Sequence, residues 1–277
     1  MVAVHRPKDW FREPKKWLAI FKIWFQDSIV YKASTTIWVL TDVVTAIAMP
    51  LVWIAGAKVT GGVVGGYPIS QMVAYYMVSF AVAAPIVSHI LWDVAVEIRE
   101  GLFLATLLRP ISLYQYIFFR SLSFRLMRPF FFFPFLIAII WMFRSVLAGA
   151  HVYITFPFFV SIVLGHLVSF TMVMALSPIA LYTQEAYSLF ELYYAPMILL
   201  SGQLFPISAL PNWAQNISHF MPFYYTTGVP SELGVGRITG SEVWIKLSIQ
   251  ALWALIFYGV GKLAWKKGLK IYTGIGL

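Results

Sequence analysis

Ser201-Gly202-Gln203-Leu204-Phe205-Pro206, then Leu210-Pro211-Asn212-Trp213, then Met221-Pro222-Phe223-Tyr224-Tyr225 is the part of the chain with the most specific pattern. A proline breaks the helix at each step. Residues 204–243 are therefore too broken to cross a bilayer, yet too apolar for a plain loop. They read as two short helices that dip back into the membrane interface. Trp213, Phe223, Tyr224 and Tyr225 suit the headgroup level there.

Outward from this stretch the sequence is smoother. It predicts a span over Trp244–Trp265 on one side. On the other side it predicts spans over Tyr187–Gln203, Tyr153–Ile179, Arg128–Val146, Ile69–Leu91 and Ser34–Lys58. A glycine-rich stretch, Gly61 to Gly66, reads as a flexible loop; no Lys-Ser/Thr follows it, which excludes a phosphate-binding P-loop. Composition agrees with six spans. Of 277 residues, 60% are hydrophobic, 18% aromatic and 11% charged, against roughly 25% charged in soluble domains. That excludes a soluble globular, disordered or fibrous chain. The expected fold is an all-α polytopic membrane protein with six transmembrane helices. Cysteine is absent, so a disulfide framework, a thiol nucleophile and a Cys-based metal site are excluded.

Residues 1–33 read as a separate N-terminal segment, followed by one six-span domain over 34–277. After Pro14, Trp17, Phe21, Trp24 and Tyr31 follow helical spacing, with Lys15, Lys22 and Gln26 opposite. Such a helix is expected to lie in the interface, its aromatics in the acyl boundary. No cleavable signal peptide is expected. Charge then sets topology. Seven Lys/Arg fall in 1–33, five in 92–128 and four in the tail from Lys262, whereas Lys58, Arg144, Arg237 and Lys246 fall on the other side. The positive-inside rule puts both termini in the cytoplasm. Most of the net charge of +9 is thereby topological, and nucleic acid is not an expected partner. Arg120, Arg125 and Arg128 are expected to snorkel to inner-leaflet phosphates.

No catalytic constellation stands out: His-Glu-x-x-His and Gly-x-Ser-x-Gly are both missing. The histidines, at 5, 89, 151, 166 and 219, are scattered, and no metal site is expected. His166, in mid-span, reads as a packed histidine bonded to a neighbouring helix. Asp42, about two turns into the first span, either bonds to a nearby Lys or Thr41 or lines a transport path. Gly165 and Ser169 permit close helix contact. Asp93, Glu97 and Glu100 share one helical face that Gly101 ends. That face is either a docking element for a soluble partner or an ordinary solvated surface.

The order of these features resembles the permeases of type-2 ABC exporters, the ABC-2 type. Three motifs carry the resemblance before span six: Ser-Gly-x-x-Phe-Pro, Leu-Pro-x-Trp and Pro-Phe-x-Tyr. More closely, the chain is similar to a bacterial subfamily with Ile98-Arg99-Glu100-Gly101, Leu107-Leu108-Arg109-Pro110 and a tail like Trp265-Lys266-Lys267-Gly268-Leu269. The resemblance covers essentially the whole chain. It implies a cytoplasmic coupling helix over Asp93 to Gly101, Arg99 included, with Glu185 near the same contact zone. It implies re-entrant helices and an outer gate over Phe205–Tyr225, including Pro206, Trp213, Phe223 and Tyr224. It makes the helix after Pro14 a connecting helix that flanks the ATPase.

The resemblance further implies a permease subunit in a bacterial cytoplasmic (inner) membrane, working beside lipids with a second permease copy or paralogue. The chain has no Walker motif, so it is not expected to be an enzyme or to bind a cofactor. ATP and Mg would sit on two copies of a partner ATPase. The expected cargo is an amphiphilic or cationic drug-like compound, as in multidrug efflux, or alternatively a lipid-linked glycan or lipid. Asp42 and His166 are candidate path residues. A secondary transporter or channel would carry internal repeats and more intramembrane charge; an intramembrane enzyme would carry clustered His, Glu or Asp.

Overall fold

The computed structural model describes residues 14–30, 32–59, 61–183 and 186–272. Its helices in chain order are α1 (Pro14–Val30), α2 (Lys32–Val59), α3 (Ile69–Ile86), α4 (Ile90–Arg99), α5 (Phe103–Leu107), α6 (Leu113–Met142), α7 (Arg144–Leu147), α8 (Phe156–Leu176), α9 (Ala180–Thr183), α10 (Ala186–Leu200), α11 (Asn212–Phe220), α12 (Tyr224–Gly234) and α13 (Ser241–Gly268). Among the described residues, five helical stretches are long and apolar enough to cross a membrane: 39–58, 69–99, 113–142, 156–183 and 241–268. At 1.5 Å per residue each reaches the roughly 30 Å of a hydrocarbon core. The expected fifth span is the shorter α10, 15 residues with Pro196 inside. Alone it reaches about 22 Å.

Two boundaries differ from the sequence expectation. The second span does not end at Leu91: α3 stops at Ile86, Val87 turns extended, and α4 restarts after His89. Nor does the third begin at Arg128. It is the second half of α6, a 30-residue helix capped by Ser112, whose side chain accepts from the Gln115 amide at 3.3 Å. The stretch between Trp92 and Met127 is thus mostly helix. The glycine-rich loop is also more ordered than expected. Val63-Val64 pairs antiparallel with Tyr67-Pro68. Gly65 and Gly66 both take positive φ, which a two-residue turn of this hand requires and which other residues adopt at a cost.

The core falls into two halves. One, at the hairpin end, holds Tyr67, Tyr75, Tyr76, Phe132, Tyr224 and Leu233. The other, at the α4 end, holds Leu91, Ile98, Phe103, Tyr116, Tyr193 and Trp265. α13 lies along α8. Gly261 lets the two backbones meet, since a Cβ there would stand 3.3 Å from the Ala175 backbone. Trp265 closes the contact by donating to the Met174 carbonyl at 2.9 Å. α1 is turned onto α6 rather than presenting its aromatics to lipid alone. Trp17 stacks on Phe119 and Trp24 meets Tyr116 edge-on, and Ser123 donates to the Phe21 carbonyl at 3.0 Å. Tyr31 lies outside the described residues.

Candidate functional site

Between the two core halves lies a cluster of polar groups, built from α2, the α3–α4 break, α6, α8 and α10. The break exposes backbone that a continuous helix would have satisfied. Ser88 answers this with side chains: its amide donates to Ser169 Oγ at 2.9 Å, and its hydroxyl sits 3.3 Å from that of Ser121. Ser169 is small enough to reach both Ser88 and the Tyr193 hydroxyl, 3.5 Å away. One turn earlier, Gly165 admits the backbone of α12: a Cβ there would stand 2.4 Å from the Thr226 carbonyl. His166 is buried; its Nδ1 lies 3.2 Å from the Ile86 carbonyl, while Nε2 has no partner among the described residues.

The three arginines of α6 are the strongest charges in this region. None of them snorkels clear of the fold: Arg125 is 3% exposed and Arg128 7%. Arg128 pairs with Asp42 of α2, so the carboxylate finds neither Thr41 nor a nearby lysine but a partner 86 residues away. Arg120 pairs with Glu97 and lies 3.9 Å from Asp93, both on α4. It also sits 4.3 Å over the Trp24 ring of α1. Arg125 has no carboxylate partner among the described residues. Its Nη2 lies 3.0 Å from His89 Nδ1.

This changes the reading of the acidic face. Asp93 and Glu97 are held by Arg120. Glu100 and Arg99 remain half-exposed at 50% and 53%, 3.8 Å from each other. Gly101 follows with φ of 75° and turns the chain into α5. Glu185 lies outside the described residues.

At the opposite end, the Ser201–Pro206 turn is pinned from three sides. Tyr75 and Tyr76 donate to the carbonyls of Gly202 and Leu204 at 2.7 and 2.9 Å. Thr227 donates to the Ser201 carbonyl at 3.1 Å. Gly202 has φ of 84°, and a Cβ there would lie 2.6 Å from the Tyr75 hydroxyl, so only glycine suits the position. Phe205 meets Trp53 edge-on, and Pro206 is buried. Trp213 stands out from α11, 68% exposed. Phe223 instead faces Tyr193 of the core half at the α4 end, and Tyr224 is buried, donating to Glu232 at 2.5 Å. All eleven residues of α12 are buried.

A family model described as ABC-2 family transporter protein matches residues 35–276. The chain belongs to the ABC-2 transporter family. It is the membrane component of such a transporter, a multi-pass membrane protein. No curated relative and no solved structure matches it. Within this ABC-2 chain, sequence reasoning singled out Asp42 and His166, read Arg125 as snorkelling to lipid phosphates where it is buried, and did not single out Ser88, His89 or Tyr193. A Ser-His pair shortly after Pro85, inside an otherwise apolar run, was the available signal. Among the described residues no group of acidic and histidine side chains is placed to hold a metal ion.

Proposed function

We propose that the chain is the permease subunit of an ATP-driven exporter of amphiphilic compounds. It works with a second permease copy or paralogue and with two copies of a separate ABC ATPase, which carry the ATP and Mg. Family membership supports the transporter and its ATPase partner. The observation that carries the mechanism is the placement of α4. Its Arg99-Glu100 end is exposed, and its other end is the break that adjoins the buried polar cluster. A push on the exposed end reaches the cluster through a single rigid helix held by Arg120.

The cytoplasm is assigned to the α4 end by the positive-inside rule. α1 is then the connecting helix at that face. α10, α11 and α12 complete the sixth crossing and the re-entrant pair, with Phe205, Pro206, Trp213, Phe223 and Tyr224 around the outer gate. Closure of the ATPases drives α4 and its counterpart together, and the bound state of the ATPase supplies the differential free energy. A bacterial inner membrane suits this assembly.

The test is affinity purification of the tagged chain from its native membrane in mild detergent. A stoichiometric ATPase is expected. Arg99→Glu with Glu100→Lys is expected to lose it while the permease still accumulates. If the chain emerges intact and alone, or if the double variant keeps both its ATPase and transport, the assignment of α4 fails.

A further inference from the structure

Among the described residues Arg120 takes two carboxylates, Arg128 takes one, and Arg125 takes none. Arg125 is nevertheless the most buried of the three. Its Nε and Nη1 have no hydrogen-bond partner among the described residues. A guanidinium away from water with two idle nitrogens is among the costliest groups a fold can hold, and such groups inside membrane helices mark ligand or ion sites. The surroundings hold it in place without bonding its Nε or Nη1. His89 receives Nη2 at Nδ1, so the imidazole proton sits on Nε2. The imidazole packs against Phe190 and Tyr194 of α10, 6.4 and 6.2 Å away between centroids. Ser88, Ser121, Ser169 and Tyr193 line the same region with hydroxyls. Asp42 and Asp93 are close enough to act on Arg125 through their charge, but each is already engaged by another arginine.

We propose that Arg125, positioned by His89 at the α3–α4 break, binds the acidic headgroup, phosphate or carboxylate, of an amphiphile. Planar guanidinium donors suit either group. The neighbouring hydroxyls add neutral donors, and α10 with its aromatic pair covers the site. This deepens the permease reading and rests on it, since a headgroup bound where the break meets α10 is placed to respond to movement of α4.

The purified chain in neutral detergent tests it by native mass spectrometry and by fluorescence titration. The probes are dihexanoyl phosphatidic acid, dihexanoyl phosphatidylcholine and inorganic phosphate. The wild type is expected to bind the phosphatidic acid at least tenfold more tightly than the phosphatidylcholine. Arg125→Gln is expected to abolish that preference, and Arg125→Lys to keep part of it. Lys266→Gln, at an exposed position, is expected to keep all of it. Equal binding of the two lipids by the wild type, or an undiminished preference in Arg125→Gln, overturns the proposal. Inorganic phosphate competing as well as the phosphatidic acid overturns its amphiphile half. If Arg125→Gln does not accumulate, Arg125→Lys and the wild-type preference still decide. Loss of ATPase co-purification without loss of lipid preference overturns the exporter reading alone, so the two failures are distinguishable.

Discussion

Arg120 fastens α4 to α6 and α1, and a double-mutant cycle measures how strongly. Arg120→Gln removes a charge-assisted bond to Glu97, of about 1.5–3 kcal/mol. It also removes a cation–π contact of about 0.5–1 kcal/mol with Trp24, and a longer, partly exposed pair with Asp93 of about 0.5 kcal/mol. The expected loss is about 3 kcal/mol. Glu97→Gln removes only the first of these and should lose about 2 kcal/mol. In the double variant the Glu97 bond is lost once, so the loss should stay near 3 kcal/mol rather than reach their sum, a coupling of about 2 kcal/mol. Reversible unfolding in mixed micelles with rising dodecyl sulfate, followed by tryptophan fluorescence, gives each value. Losses that add to within about 0.5 kcal/mol would refute the reasoning, because they would mean that the pair is not formed in the folded chain.

Three further outcomes are expected. Gln250 is fully buried and bonds to both the hydroxyl and the carbonyl of Ser161 and to the carbonyl of Tyr225. Gln250→Leu should lose about 2 kcal/mol, from three interhelical bonds averaging about 0.6 kcal/mol each, in the same unfolding assay. Gly165→Val should lower stability by about 1–3 kcal/mol through overpacking against Thr226. By contrast Gly259→Ala, in α13 with open space around it, should raise stability by about 0.5–1 kcal/mol; equal effects of the two would show that α8 and α12 do not meet. His219 on α11 is held below its ordinary value, by burial first and then by Lys246, against a smaller pull from Glu242. The unfolded chain thus binds its proton more readily, so its contribution is present above about pH 6.5 and is lost as pH falls through the folded value. Thermal melts across that range should show a slope that His219→Gln flattens.

The spans were legible wherever one apolar run met one helix, as in 156–176 and 241–268. What could not be read locally were the partners of the α6 arginines. Glu97, His89 and Asp42 stand 23, 36 and 86 residues from the arginines they meet. Without them in view, a row of arginines before a phenylalanine-rich run looks like an interfacial belt, and the first half of α6 is left outside the third span. The α3–α4 break was hidden for the opposite reason. Hydropathy stays high through Val87, and only a hydroxyl on another helix makes it possible for the Ser88 amide to leave its ladder. The turn from Ser201 to Pro206 was visible because its determinants, Gly202 and Pro206, are local. Its three pinning donors were not.

The break after Ile86 also bears on where this bundle yields under load. A straight helix bends by stretching many backbone bonds at once, and it resists. Here the ladder is interrupted at Ser88, whose amide goes to the Ser169 hydroxyl of another helix instead. Elastic compliance is thus concentrated at one joint, with a stiff rod on either side: α3 locked against α12, α4 clipped to α6. Torque applied to the far end of α4 is delivered to that joint with little loss along the rod. Restoring an unbroken helix across 87–89 would stiffen the whole 31-residue segment and leave the bundle folded but unable to flex.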